Sequence, residues 1–259
     1  MKKDNRFILV GNWKMNPQSL SEAKKLQRAY GRIQSKYPGI VLSYAPPTVY
    51  LSPLASRTGK APTIVAQNIF YEEEGAYTGE TSIEMARSVG AQAVLIGHSE
   101  RRHYFGVDEK SIGKKIKKAI YENMPMIVCI GEQERDSAGE YIDVLETQLN
   151  TVLAPFANKK TKLGLLTIAY EPLWAIGSKA TRAITADELF STYLLLEKIM
   201  STYMSTNRAK RIPVLYGGSV DGDNIADLAS VPGIDGVLVG RASLDKQELE
   251  RICKNVEKS

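Results

Sequence analysis

Thr167-Ile168-Ala169-Tyr170-Glu171-Pro172-Leu173-Trp174-Ala175-Ile176-Gly177-Ser178-Lys179-Ala180 sets an acid between an apolar run and a loop of unusual composition. Thr167 to Tyr170 reads as the end of a buried strand, and Pro172 fixes the backbone one residue past Glu171. Surface loops seldom carry side chains as bulky and apolar as Leu173, Trp174 and Ile176, so this loop is expected to fold down over the acid. Excluding water there would make the carboxylate a stronger base, as general acid–base chemistry at neutral pH requires. What kind of fold presents such a strand end is decided by the rest of the chain.

Working outward, eight short apolar, β-rich runs alternate with segments of helical pattern: Phe7 to Val10, Ile40 to Ala45, Thr63 to Ala66, Ala93 to Ile96, Met126 to Ile130, Thr167 to Tyr170, Pro213 to Tyr216 and Gly236 to Val239. Between them, Leu20, Ala23, Leu26, Ala29 and Ile33 recur at helical spacing, as do Tyr141, Val144, Leu145, Gln148, Leu149 and Val152. Ser19 with Glu22 and Thr185 with Glu188 fit the pattern in which a hydroxyl and a carboxylate satisfy the first free amides of a helix. Eight βα units in 259 residues predict an α/β protein, a (β/α)8 barrel forming a single domain over residues 1–259. The structural alternative, a doubly wound sheet, often has a glycine-rich first βα turn, and none follows Val10.

An apolar fraction of 43% and no run of membrane-spanning length fit a globular chain. The apolar run Phe7 to Val10 is too short for the core of a signal peptide, so a cytoplasmic protein is expected. Its two cysteines, Cys129 and Cys253, offer neither metal spacing nor a disulfide framework and suit a reducing compartment. A net charge of +5 is a weak signal for an anionic substrate. Lys114, Lys115, Lys117 and Lys118 are expected to form a solvated helix face opposite core-facing Ile112, Ile116 and Ile120. Without interleaved aromatics or a nucleic-acid motif, this cluster does not predict a nucleic-acid partner.

Barrel sites are built at the carboxyl ends of strands. There the chain carries Lys14 after the first run, His98 and Glu100 after the fourth, Glu171 after the sixth, Gly217-Gly218-Ser219 after the seventh and Gly240-Arg241 after the eighth. Singly, each has an ordinary reading as a solvated lysine, a hydrogen-bonded histidine or a loop. Together, glycine amides after the last two runs, with short helix starts expected at Ser219 or Ser243, suggest a phosphate cradle. A carboxylate base, a neutral imidazole and a lysine beside it point to proton abstraction next to a carbonyl.

Gly11-Asn12-Trp13-Lys14-Met15-Asn16, Ile96-Gly97-His98-Ser99-Glu100-Arg101-Arg102, Ala169-Tyr170-Glu171-Pro172-Leu173-Trp174-Ala175-Ile176-Gly177 and Tyr216-Gly217-Gly218-Ser219-Val220 resemble the triosephosphate isomerase family over essentially the whole chain. That resemblance implies a proton shuttled by Glu171 between C1 and C2 of dihydroxyacetone phosphate and glyceraldehyde 3-phosphate. It also implies that neutral His98 donates to the substrate oxygens and that Lys14 and Asn12 stabilise the developing charge, with Glu100 joined to Lys14. Backbone amides of Gly177, Ser219, Gly240 and Arg241 would hold the phosphate, and Ile176 and Leu238 would clamp the base. A neutral imidazole partner and a closing loop are known features of that family. No metal or organic cofactor is implied.

A homodimer is also implied, with Gln67-Asn68 and Gly75-Ala76-Tyr77-Thr78-Gly79-Glu80 as a protruding loop whose Thr78 reaches Asn12 of a second copy. Three departures stand out. Ser178 to Ile184 replaces the usual loop tip and hinge, Arg241 stands where a second glycine is common, and Phe105-Gly106-Val107-Asp108 is one residue short and lacks a glutamate. Loop changes alone would favour a non-catalytic barrel retained for binding, the other reading carried forward.

Overall fold

The computed structural model describes residues 6–55, 62–136, 138–176 and 182–258. Eight parallel strands close into a barrel in sequence order: β1 (Phe7–Asn12), β2 (Ile40–Ala45), β3 (Thr63–Ala66), β4 (Ala93–Ile96), β5 (Met126–Ile130), β6 (Leu166–Tyr170), β7 (Val214–Tyr216) and β8 (Gly236–Val239), with β8 pairing back onto β1. The expected (β/α)8 architecture is therefore present. Strand bounds differ from the sequence reading at three places: β1 runs on to Asn12, β6 begins at Leu166, and β7 begins at Val214. Pro213 has no N–H to give the ladder, although its carbonyl accepts from Ile168 N at 2.9 Å.

Side chains alternate along every strand. Val10, Ala45, Val65, Leu95, Cys129, Ala169, Leu215 and Leu238 pack together inside the barrel, while Leu9, Leu42, Ile64, Val94, Val128, Ile168, Val214 and Val237 face the surrounding helices. Extending the inward parity past the strand ends puts Asn12, Gly97, Gly131, Glu171, Gly217 and Gly240 around one mouth.

The helices are α1 (Leu20–Lys36), α2 (Leu51–Leu54), α3 (Ile83–Ser88), α4 (Ser99–Phe105), α5 (Glu109–Tyr121), α6 (Glu140–Leu153), α7 (Ala186–Tyr203), α8 (Thr206–Ala209), α9 (Ile225–Ala229) and α10 (Lys246–Val256). Ser19 caps α1 by accepting from Glu22 N, and Thr185 with Glu188 forms a complete capping box on α7. Along α1 the buried face is Ala23, Leu26, Tyr30 and Ile33, so Tyr30 fills the place expected of Ala29. None of the described helices is long and apolar enough to cross a membrane.

One expectation fails on α5. Lys115 and Lys118 are buried, because the segment after β3 lies across them. Lys118 Nζ sits among Glu73 at 2.6 Å, Glu122 at 3.0 Å and Glu84 at 3.1 Å. Those three carboxylates are the one group among the described residues spaced to hold a cation, and the ammonium already stands between them. Lys115 Nζ instead donates to Asn68 Oδ1 at 2.7 Å. Burial and the nearby Arg101 charge lower its pKa from the ordinary 10.5 to about 8, although Glu80 acts the other way.

Between pH 8 and 10.5 the folded chain holds fewer protons at Lys115 than the unfolded chain, so this lysine's penalty on stability is full below pH 8 and relieved as pH rises. Urea midpoints measured at pH 7.5 and 9.5 should therefore show the native protein gaining stability relative to Lys115→Met as pH rises. Parallel pH responses would contradict the assignment.

Candidate active site

Glu171 follows β6 at an inward position, with its backbone N–H donating to Ile130 O at 2.7 Å. Each neighbouring strand is followed directly by a glycine, Gly131 after β5 and Gly217 after β7. A Cβ on Gly131 would lie 1.9 Å from the Glu171 carbonyl oxygen, and one on Gly217 would lie 2.8 Å from Glu171 Cγ. The room these glycines leave allows a carboxylate only 2% exposed to sit at the mouth. Its Oε2 accepts from Ser99 N at 3.0 Å, and its Oε1 stands 3.2 Å from His98 Nε2. Burial pushes the adjoining Cys129 thiol well up, and the Glu171 charge pushes it further, so no thiolate competes with the carboxylate.

His98 is the N-cap of α4, where its Nδ1 accepts from Glu100 N at 3.2 Å. An accepting Nδ1 carries no proton, so the imidazole is the neutral tautomer with its N–H on Nε2, facing Glu171. The cap thus fixes the tautomer as well as the ring position. Beneath it, Arg102 Nε donates to Gly97 O at 2.8 Å and Nη2 to Cys129 O at 3.2 Å, tying the ends of β4 and β5 together.

Across the mouth, Lys14 has a left-handed backbone with φ +52°, a conformation that must be held by its surroundings. Asn12 Oδ1 accepts from Lys14 N at 3.0 Å, and Gln67 Nε2 donates to Lys14 O at 2.7 Å. Lys14 Nζ meets Glu100 Oε1 at 2.7 Å. Since Asn12 uses its oxygen on the backbone, its amide N–H bonds are left for a ligand.

A cavity of about 780 Å³ opens at this mouth, lined by Asn12, Lys14, His98, Glu171, Ile176, Ser219, Leu238, Gly240 and Arg241 among others. Glu100 stands behind Lys14, outside the lining. Contrary to the sequence reading, no helix starts at Ser219, where a loop with a turn at Gly222–Asn224 precedes α9, and Ser243 lies inside the short 3-10 helix Arg241–Leu244 rather than opening it. Ser219 Oγ donates to Ala175 O at 3.0 Å, and Ser243 ties back to Gly240 O through its amide at 3.0 Å and its hydroxyl at 2.6 Å. Arg241 is exposed at the rim. Gly177 and the altered loop positions 178–181 lie outside the described residues. Thr78 is exposed on the loop after β3, away from the cavity lining.

Sequence reasoning passed over Glu132. This buried acid, two residues past β5, accepts from Tyr170 Oη at 2.7 Å and Trp174 Nε1 at 2.9 Å, flanking Glu171 on both sides in sequence. Arg182 extends over the Trp174 ring at 4.8 Å while paired to Glu188, joining the two flanks of the loop. Like Glu171, Glu132 is a carboxylate just past the end of a strand, and that position is the sequence signal that marks it.

A buried carboxylate in contact with an imidazole, at the carboxyl mouth of a (β/α)8 barrel, is the arrangement of barrel enzymes that work by proton transfer. Comparison narrows that class. A family model described as triosephosphate isomerase matches residues 7–256. Similar proteins, each named triosephosphate isomerase, include one from Dehalococcoides mccartyi, 39% identical over 251 residues and 96% of each chain. Another from Coprinopsis cinerea is 38% identical over 95% of this chain and 96% of its own, and one from Francisella philomiragia 34% identical over 97% of each. The chain belongs to the triosephosphate isomerase family.

Proposed function

We propose that this enzyme interconverts dihydroxyacetone phosphate and D-glyceraldehyde 3-phosphate through an enediolate, serving glycolysis and gluconeogenesis. Glu171 takes a proton from C1 of the ketose and returns it to C2, while the O1 hydroxyl proton passes to O2 by way of His98 Nε2, so both the carbon-bound and the oxygen-bound proton are accounted for. His98 Nε2–H donates to the substrate oxygens as charge moves onto them, and Lys14 and the Asn12 amide stabilise that charge, with Glu100 holding the lysine. Amides of Ser219, Gly240 and Arg241 receive the phosphate, and Ile176 and Leu238 cover the base; Gly177 is assigned to the phosphate by resemblance alone.

The observation that carries this reading is the 3.2 Å approach of His98 Nε2 to Glu171 Oε1 while Nδ1 is spent on the Glu100 amide. It supports an imidazole that donates a hydrogen bond without having to give up a positive charge. Family membership supports the triose phosphate substrate. A phosphorylated hydroxamate that mimics the enediolate should bind at least about a hundredfold more tightly than dihydroxyacetone phosphate. Equal affinity would overturn the proposed catalytic site.

The working unit we propose is one barrel domain in a homodimer. Met15, Val49, Tyr77, Met85 and Phe105 are exposed apolar side chains on the segments around the site, a composition suited to a self-complementary interface that includes Thr78. A cytoplasmic setting suits the free, buried Cys129 and Cys253. The reading involves no nucleic acid or membrane partner.

A further inference from the structure

Tyr30 takes no part in the proposed chemistry, yet it lies under both halves of the site. Its side chain is wholly buried on α1. Trp13 Nε1 donates to its hydroxyl at 3.4 Å, and the hydroxyl donates to Ser243 O at 3.2 Å. The ring is fixed edge-on to Trp13, with centroids 5.9 Å apart, and tilted against Tyr44 at 5.2 Å. Burial pushes the phenol well above its ordinary pKa, so it remains a donor at any working pH.

The hydroxyl occupies space that only glycine leaves open. A Cβ on Gly11 would lie 1.8 Å from Tyr30 Oη and 3.0 Å from Ser243 Cβ. The hydroxyl therefore sits where β1 and the turn after β8 meet, in contact with both. Above it, Asn12 and Lys14 continue from Gly11, while Ser243 anchors Gly240 through two hydrogen bonds to its carbonyl. Lys14 Cε lies 3.4 Å from where a Gly240 Cβ would be, so the lysine and the turn are in contact on the cavity side as well.

We infer that Tyr30 is a positioning residue that holds the phosphate-receiving turn Gly240–Leu244 in register with the Asn12–Lys14 segment. The inference rests on the proposed function for the phosphate's place. Without the hydroxyl, Ser243 O loses its donor and the turn is free to shift by fractions of an ångström. A dianion held by backbone amides is sensitive to that shift, whereas the base and imidazole, on β6 and β4, are not. The expected signature is weaker phosphate binding with the chemical step retained.

Tyr30→Phe tests this with two ligands. Calorimetric titration with inorganic phosphate should show Kd raised about three- to tenfold, and KM for glyceraldehyde 3-phosphate should rise by the same factor, with kcat within about twofold of the native value. Isomerisation of D-glyceraldehyde, which has no phosphate, should be unchanged. Tyr30→Met, which fills the cleft without an oxygen, supplies the same readings if the phenylalanine variant does not fold. An unchanged phosphate Kd, a native protein that does not bind phosphate, or equal loss on glyceraldehyde and its phosphate would overturn the inference. If the native protein binds phosphate but isomerises nothing, the functional reading fails while the phosphate Kd still decides the role of Tyr30.

Discussion

Glu171→Asp is expected to lower kcat by about a hundredfold or more while leaving KM and the thermal midpoint close to native. The backbone at this position cannot follow the shorter side chain. It is pinned to Ile130 O at 2.7 Å and packed against Gly131, where even a Cβ would collide with it. Aspartate would therefore withdraw the carboxylate by about an ångström from the proton it must reach, and misplacement on that scale costs about two orders of magnitude. Gly217 leaves space that the shorter side chain does not fill, so no compensating contact forms. Steady-state kinetics with a calorimetric scan would check both halves, and a native rate would remove Glu171 from the role of base.

His98→Gln should cut kcat by about a hundredfold to a thousandfold, with a loss of stability of only about 1 kcal/mol. The two effects separate because His98 does two jobs through two atoms. Nδ1 caps α4 at 3.2 Å from Glu100 N, a contribution of the ordinary N-cap size, whereas Nε2 faces the base at 3.2 Å and serves the reaction. A glutamine can accept at the cap or donate into the cavity, but it cannot present a rigid donor at the second position while accepting at the first. If activity and the unfolding midpoint fell in proportion, the histidine would be a structural cap and the imidazole would have to be taken out of the mechanism.

Much of this architecture is legible without coordinates because the signals are local. Period-two runs with both faces apolar give the strands, and their parity, continued two residues past Ala169 and Leu215, brings Glu171 and Gly217 together at the mouth. Pairings set by distant segments are not legible in this way. Helical spacing correctly turned Ile112 and Ile116 inward, but nothing in α5 announced that the segment after β3 would cover Lys115 and Lys118. Tyr30 escaped for a related reason. A tyrosine beside Ala29 can sit at the edge of an amphipathic face, and only the gap at Gly11 and the carbonyl of Ser243 show why it is buried. Glu132 sits just past β5, and its partners Tyr170 and Trp174 come from the end of β6 and the loop beyond it, a convergence that no local pattern around Glu132 announces.

The most direct test of the central claim is a coupled assay in which the purified protein converts D-glyceraldehyde 3-phosphate to dihydroxyacetone phosphate. Rapid conversion that saturates with substrate is the predicted result, and it would mean that the altered loop from Ser178 to Ile184 supports turnover. A folded protein that produced no dihydroxyacetone phosphate would contradict the account and favour a barrel kept for binding.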